Sequence, residues 1–125
     1  MIKRIDFNKE VEIGYIQVIK EIKAGMAHDT EELEVNSYIN LDLDKENRII
    51  GLEIFRDEAN VLKNAPSKDD IYIKNGNMYS LRLNDNEVVS RYSYLGIEFC
   101  FSEENYRGFI GFDILDITKY PENTL

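Results

Sequence analysis

The stretch "YINLDLDKENRIIGLEIF", residues 38–55, alternates apolar and polar side chains on both sides of a polar centre. Ile39, Leu41 and Leu43 enclose Asn40 and Asp42; after "KENR", Ile50, Leu52 and Ile54 enclose Gly51 and Glu53. Successive side chains of a strand point to opposite faces, so this period on both flanks of a turn specifies an antiparallel hairpin with one apolar face. With Glu46 and Asn47 as a two-residue turn, the predicted register sets Leu43 opposite Ile50, Leu41 opposite Leu52 and Ile39 opposite Ile54. Asn47 tolerates the positive φ such a turn demands.

The same segment also has the spacing of a calcium loop, with Asp42, Asp44, Glu46, Ile49 and Glu53 at its first, third, fifth, eighth and twelfth places. That loop needs a helix on each side and usually a glycine at the sixth place, where Asn47 stands. Strand-forming flanks therefore predict a solvated hairpin and no metal site. Asp42, Asp44 and Glu53 remain the alternative set for a carboxylate-dependent metal site or enzyme.

A second copy of the pattern runs through "GIEFCFSEENYRGFIGFDIL", residues 96–115. Ile97, Phe99 and Phe101 alternate with Glu98 and Cys100, and Ile110, Phe112 and Ile114 with Gly111 and Asp113. Gly51 and Glu53 thus correspond to Gly111 and Asp113, and a tyrosine-bearing strand precedes each hairpin, "GYIQVI" and "MYSLRL". A recurrence near sixty residues predicts an internal duplication, with halves of about 1–63 and 70–117 sharing one core within a single domain of residues 1–125. Leu41, Leu52, Ile54, Phe99, Phe112 and Ile114 are its expected core. Asn75-Gly76 between two β-rich runs marks another hairpin. "FRDEANVLKNAP" reads as one short helix with Asp57 as cap and Pro66 beyond its end, followed by the linker "NAPSKDD". Residues 23–37 read as a loop with an extended end. The expected class is mainly β, α+β at most, built of antiparallel hairpins.

"GYIQV" at 14–18, "DTEEL" at 29–33 and "INLDLDKENRIIGLEIF" at 39–55 together resemble the bacterial Domain of Unknown Function 2283 family. Its members are short proteins with a Tyr-Ile strand, an acidic turn and a Gly-hydrophobic-Glu-Ile strand. The likeness covers about residues 1–60, is best at Gly51-Leu52-Glu53-Ile54, and returns more weakly at Gly111-Phe112-Asp113-Ile114. Asn47 departs from the glycine usual in the family's turn. The resemblance implies a small β-rich fold and supplies no catalytic residue.

Charge narrows the partners. Twenty-four Asp and Glu against fifteen Lys and Arg give a net charge of −9, which repels phosphate backbones and anionic lipid and attracts a basic protein. No apolar run has signal-peptide or membrane-span length, so a cytoplasmic location is expected. One cysteine excludes an internal disulfide and a multi-cysteine zinc site. Dispersed glycines form no nucleotide-binding loop, and no cofactor is expected. His28 reads as an exposed loop residue, Cys100 as a small, partly buried strand residue. Asp42, Asp44, Glu53, Glu98 and Asp113 are expected on the outward, solvated faces of the hairpins.

The function these features favour is non-catalytic: an acidic domain that binds, and by analogy with immunity proteins and antitoxins inhibits, a basic protein. The candidate contact residues are Tyr106, Arg107, Glu103 and Glu104, because an aromatic ring in a hairpin turn has less packing reason to be there than one on a strand. Exposed strand edges would also permit a homo-oligomer.

Overall fold

The computed structural model describes residues 4–65 and 70–125. The alternating segment 38–55 forms β4 (Ile39–Leu43) and β5 (Ile49–Phe55), preceded by β1 (Ile5–Asn8), β2 (Ile13–Gln17) and β3 (Asp29–Glu32). After them come β6 (Ile73–Asn75), β7 (Met78–Arg82), β8 (Ser90–Tyr94), β9 (Ile97–Glu103) and β10 (Arg107–Ile114). They make two antiparallel five-stranded sheets, ordered β1-β2-β5-β4-β3 and β6-β7-β10-β9-β8. The halves thus repeat the same strand order, as the duplicated pattern predicts.

Register shows how far the repetition goes. Gly51 pairs with Gln17 and Asp42, and Gly111 with Arg82 and Cys100. Just before each glycine the strand carries one extra residue: Asp42 pairs with Gly51 but Leu43 with Ile49, and Cys100 pairs with Gly111 but Phe101 with Phe109. Ile50 and Ile110 are those bulged residues. Their carbonyls accept the amides of Val18 at 2.9 Å and Leu83 at 2.7 Å, again at equivalent places.

The bulge corrects the predicted register, since Leu43 faces Ile49 and not Ile50. The turn is also longer than two residues. Asp44 N–H donates to the Arg48 carbonyl and Asn47 N–H to the Asp44 carbonyl, leaving Lys45, Glu46 and Asn47 as a three-residue loop with Asn47 at φ 59°. The tyrosines of the two preceding strands are not equivalent either. Tyr15 pairs with Glu53, whereas Tyr79 pairs with Ile114 and joins the core.

Residues 29–32, within the segment read as a loop with an extended end, pair with β4 as an edge strand. The segment after β5 is a 3₁₀ helix, Arg56–Asn64, entered from extended Phe55 without a side-chain cap, so Asp57 does not cap it. Its Leu62 methyl lies 2.1 Å from where a β-carbon on Gly14 would stand, so the absence of a side chain there lets the helix close on β2. Pro66 and most of the expected linker lie outside the described residues.

The six predicted core residues are fully buried, in one cluster that draws on both sheets. Polar contacts also tie the halves. The Tyr72 hydroxyl donates to the Val18 carbonyl, and the Tyr120 hydroxyl accepts Ile49 N–H at 2.9 Å while donating to the Leu95 carbonyl. Glu58, on the first half's helix, accepts Gly108 N–H at 3.1 Å and the Asn36 side-chain amide at 2.6 Å. Among the described residues no helix is long and apolar enough to cross a membrane.

Candidate functional site

The contact residues expected from sequence lie together where β9 turns into β10. Glu103 ends β9, Glu104–Tyr106 form one 3₁₀ turn, and Arg107 opens β10. Asn105 and Tyr106 are left-handed, at φ 61° and 59°. That backbone is unusual for a bulky residue. Here it accompanies a ring that returns onto the protein: Tyr106 meets Phe101 edge-to-face at 5.9 Å and Tyr92 at 5.8 Å. Its amide donates to Ser90 Oγ and its carbonyl accepts the Asn36 side chain. Packing therefore explains the ring, contrary to the premise drawn from its turn position, and Tyr106 is half-buried while Glu103, Glu104 and Arg107 are exposed.

Tyr92 connects this turn to a surface that sequence alone did not assemble. Edge strands β3 and β8 belong to different sheets, and between them lies a recess of about 220 Å³ lined by Glu31, Glu32, Glu34, Tyr92 and Tyr94. The Tyr94 hydroxyl donates to Glu31 at 2.6 Å and the Tyr92 hydroxyl to Glu34 at 3.2 Å. The hydrogen bond to Glu31, with partial desolvation, raises the Tyr94 pKa; desolvation, then the bond to Glu34, raises that of Tyr92. Both phenols stay neutral donors at ordinary pH. The recess thus offers carboxylates and aromatic faces with no cation in its lining, a chemistry suited to an ammonium or guanidinium group. Its sequence signals are the acids of "DTEEL" with the adjoining Glu34, and the tyrosines of "RYSYLG"; what brings them together is the pairing of the two halves.

Two of the acids expected on solvated faces are buried. Asp44 is 3% exposed: one oxygen accepts the amides of Glu46 and Arg48, at 3.0 and 2.8 Å, and the other Arg48 Nε at 2.7 Å. Burial pushes its pKa up, but those bonds and the Arg48 charge outweigh it and hold the carboxyl below its ordinary value. Asp113 is 2% exposed, because Arg82 from β7 and Arg91 from β8 close over it at 2.8 and 3.4 Å. Burial again opposes, and the Arg82 hydrogen bond leads the effects that lower its pKa.

Asp42, Asp44 and Glu53 are not gathered into a metal site. Asp42 is held by the Tyr15 hydroxyl at 2.8 Å and the Thr30 hydroxyl at 3.0 Å, Asp44 is turned to Arg48, and strands rather than helices flank the loop. Among the described residues no three His, Cys, Asp or Glu side chains come together in a way that could hold a metal ion. Cys100 is completely buried rather than partly so, and burial pushes its thiol up to about 11, away from nucleophilic use. His28 is exposed in the loop before β3.

Comparison with known proteins establishes kinship. Residues 4–56, nearly the whole first half, match the model of a family described as protein of unknown function, DUF2283. Over 119 residues, 94% of this chain and 91% of the relative, the sequence is 34% identical to the uncharacterized protein YuzE of Bacillus subtilis (strain 168). The chain belongs to the DUF2283 family. The family model covers one sheet, and the relative extends across both halves. No solved structure matches.

Proposed function

We propose that this DUF2283 protein is a non-catalytic binding domain of the cytoplasm that recognises, and thereby inhibits, a basic protein. The observation that carries the reading is the recess between β3 and β8, where Glu31, Glu32 and Glu34 stand beside Tyr92 and Tyr94. A lysine or arginine side chain entering it would meet carboxylates at short range and aromatic faces at its walls. Glu103 and Glu104, near the Tyr106 ring that abuts Tyr92, extend the acidic rim, and the net charge of −9 supplies long-range attraction. Rim charges govern association, whereas desolvated anchors govern dissociation.

A defined Lys/Arg-rich peptide, titrated at low and at physiological salt, tests this reading. Glu31→Gln combined with Glu34→Gln should weaken binding at least tenfold. Removing two exposed acids elsewhere, Glu10→Gln with Asp85→Asn, should change it less than twofold. Glu103→Gln with Glu104→Gln should mainly slow association. If all three pairs act alike, attraction is diffuse and the recess is not the site.

A further inference from the structure

A second concave region gathers cations, four against three carboxylates. The loop after β2, the β4–β5 turn and the C-terminal residues enclose two adjoining hollows, about 370 and 240 Å³, which share Lys23, Met26 and Arg48. Together they reach the size of ordinary small-molecule sites. Ile19, Ala24 and Met26 supply apolar lining, and Lys20, Lys23, Lys45 and Arg48 supply four cations.

Four cations in one recess stand out in a chain with fifteen in total and a net charge of −9. Lys20, Lys23 and Lys45 are exposed and form no ion pair with a described residue. The opposing carboxylates are Glu21, Asp44 and Glu46, of which Asp44 is buried and committed to Arg48 and to two backbone amides. Glu46 lies 3.5 Å from the same guanidinium. The pairing holds Arg48 and commits Asp44 and Glu46 to it, so Glu21 is the one lining carboxylate left to oppose three lysines.

We infer that this double hollow binds a small phosphate-bearing molecule. Lysine ammonium groups act on phosphate as mobile point charges, and three of them around a recess with apolar lining match a ligand with a charged end and a compact body. Size follows from the field of the whole protein. A long polyanion would be repelled by the acidic surface, whereas a ligand inside the recess lies within the screening length of about 8 Å of the lysines.

The test is an amide chemical-shift titration of the full chain with inorganic pyrophosphate, against sodium chloride of equal ionic strength. The expected result is saturable shifts confined to residues 20–26 and 45–48. Exposed Lys23→Gln with Lys45→Gln should weaken binding at least tenfold while leaving the rest of the spectrum unchanged. The inference is overturned by the absence of saturable shifts, by shifts that instead follow Lys9, Lys63 or Lys119, or by equal affinity in the double variant.

Discussion

The phenolic oxygen of Tyr15 lies 1.7 Å from where a β-carbon on Gly51 would stand. The ring crosses the outer face of the first sheet over that glycine to reach Asp42 at 2.8 Å. Gly51→Ala must therefore displace it and break the bond, and overpacking of this kind costs about 1–3 kcal/mol. Because the obstacle is a side chain, Tyr15→Ala should relieve most of the penalty, which a double-mutant cycle by denaturant unfolding would measure. Gly111 provides the contrast. Its φ is 147° and the atom in the way is the Leu81 carbonyl oxygen at 2.0 Å, so no side-chain truncation should rescue Gly111→Ala.

The apolar alternation makes a second prediction. Leu52 and Ile114 lie on the central strands of the two sheets, fully buried in the common cluster. Leu52→Ala and Ile114→Ala should each destabilise by ~2–5 kcal/mol, and both should report on one cooperative transition because their surroundings are continuous. Unchanged melting temperature in either variant would contradict this packing.

These two cases show where sequence is sufficient. Leu52 and Ile114 were legible because each is placed by neighbours two residues away, and parity alone assigns its face. "RIIG" and "FIG" put a second apolar residue where parity calls for a polar one. The bulge at Ile50 and Ile110 resolves this by burying both, and it depends on the strand alongside. β3 was illegible for a related reason: "DTEE" has no apolar alternation and is extended because β4 offers it a partner. Asp113 reads as outward by parity, and outward it points, yet Arg82 from the adjacent β7 and Arg91 from β8, on the far side of β9, cover it. The recess between β3 and β8 needs the assembled halves before its acids and tyrosines can meet.

Asp44 predicts the response to acid. Its native pKa lies below the ordinary value of 3.8, so the unfolded chain takes up a proton first as pH falls. The stabilisation it gives is complete above that value and is lost as pH drops through the depressed native pKa. Asp44→Asn should reduce stability at pH 7 by about 1–3 kcal/mol, the cost of removing a charged acceptor from partly buried donors. The gap from wild type should narrow below pH 4, which unfolding curves across pH 2–7 would follow.

Cys100 predicts the response to base. Burial raises its thiol from the ordinary 9.0 to about 11, with the nearby Arg82 and Arg91 charges opposing that rise. A raised native pKa means that the unfolded chain ionises first. The contribution of the neutral thiol to stability is thus complete below pH 9 and lost as pH climbs to about 11. Cys100→Ala should remove this dependence between pH 9 and 11. The geometry adds a kinetic consequence, since the sulfur is wholly inaccessible and reacts as thiolate. At pH 8 a thiol-reactive disulfide reagent should label the native protein at the rate of transient opening, slowly and at no more than one site, and label it rapidly in denaturant. Rapid labelling of the folded chain would show that β8 and β9 part readily, and that the arginine cover over Asp113 is not closed.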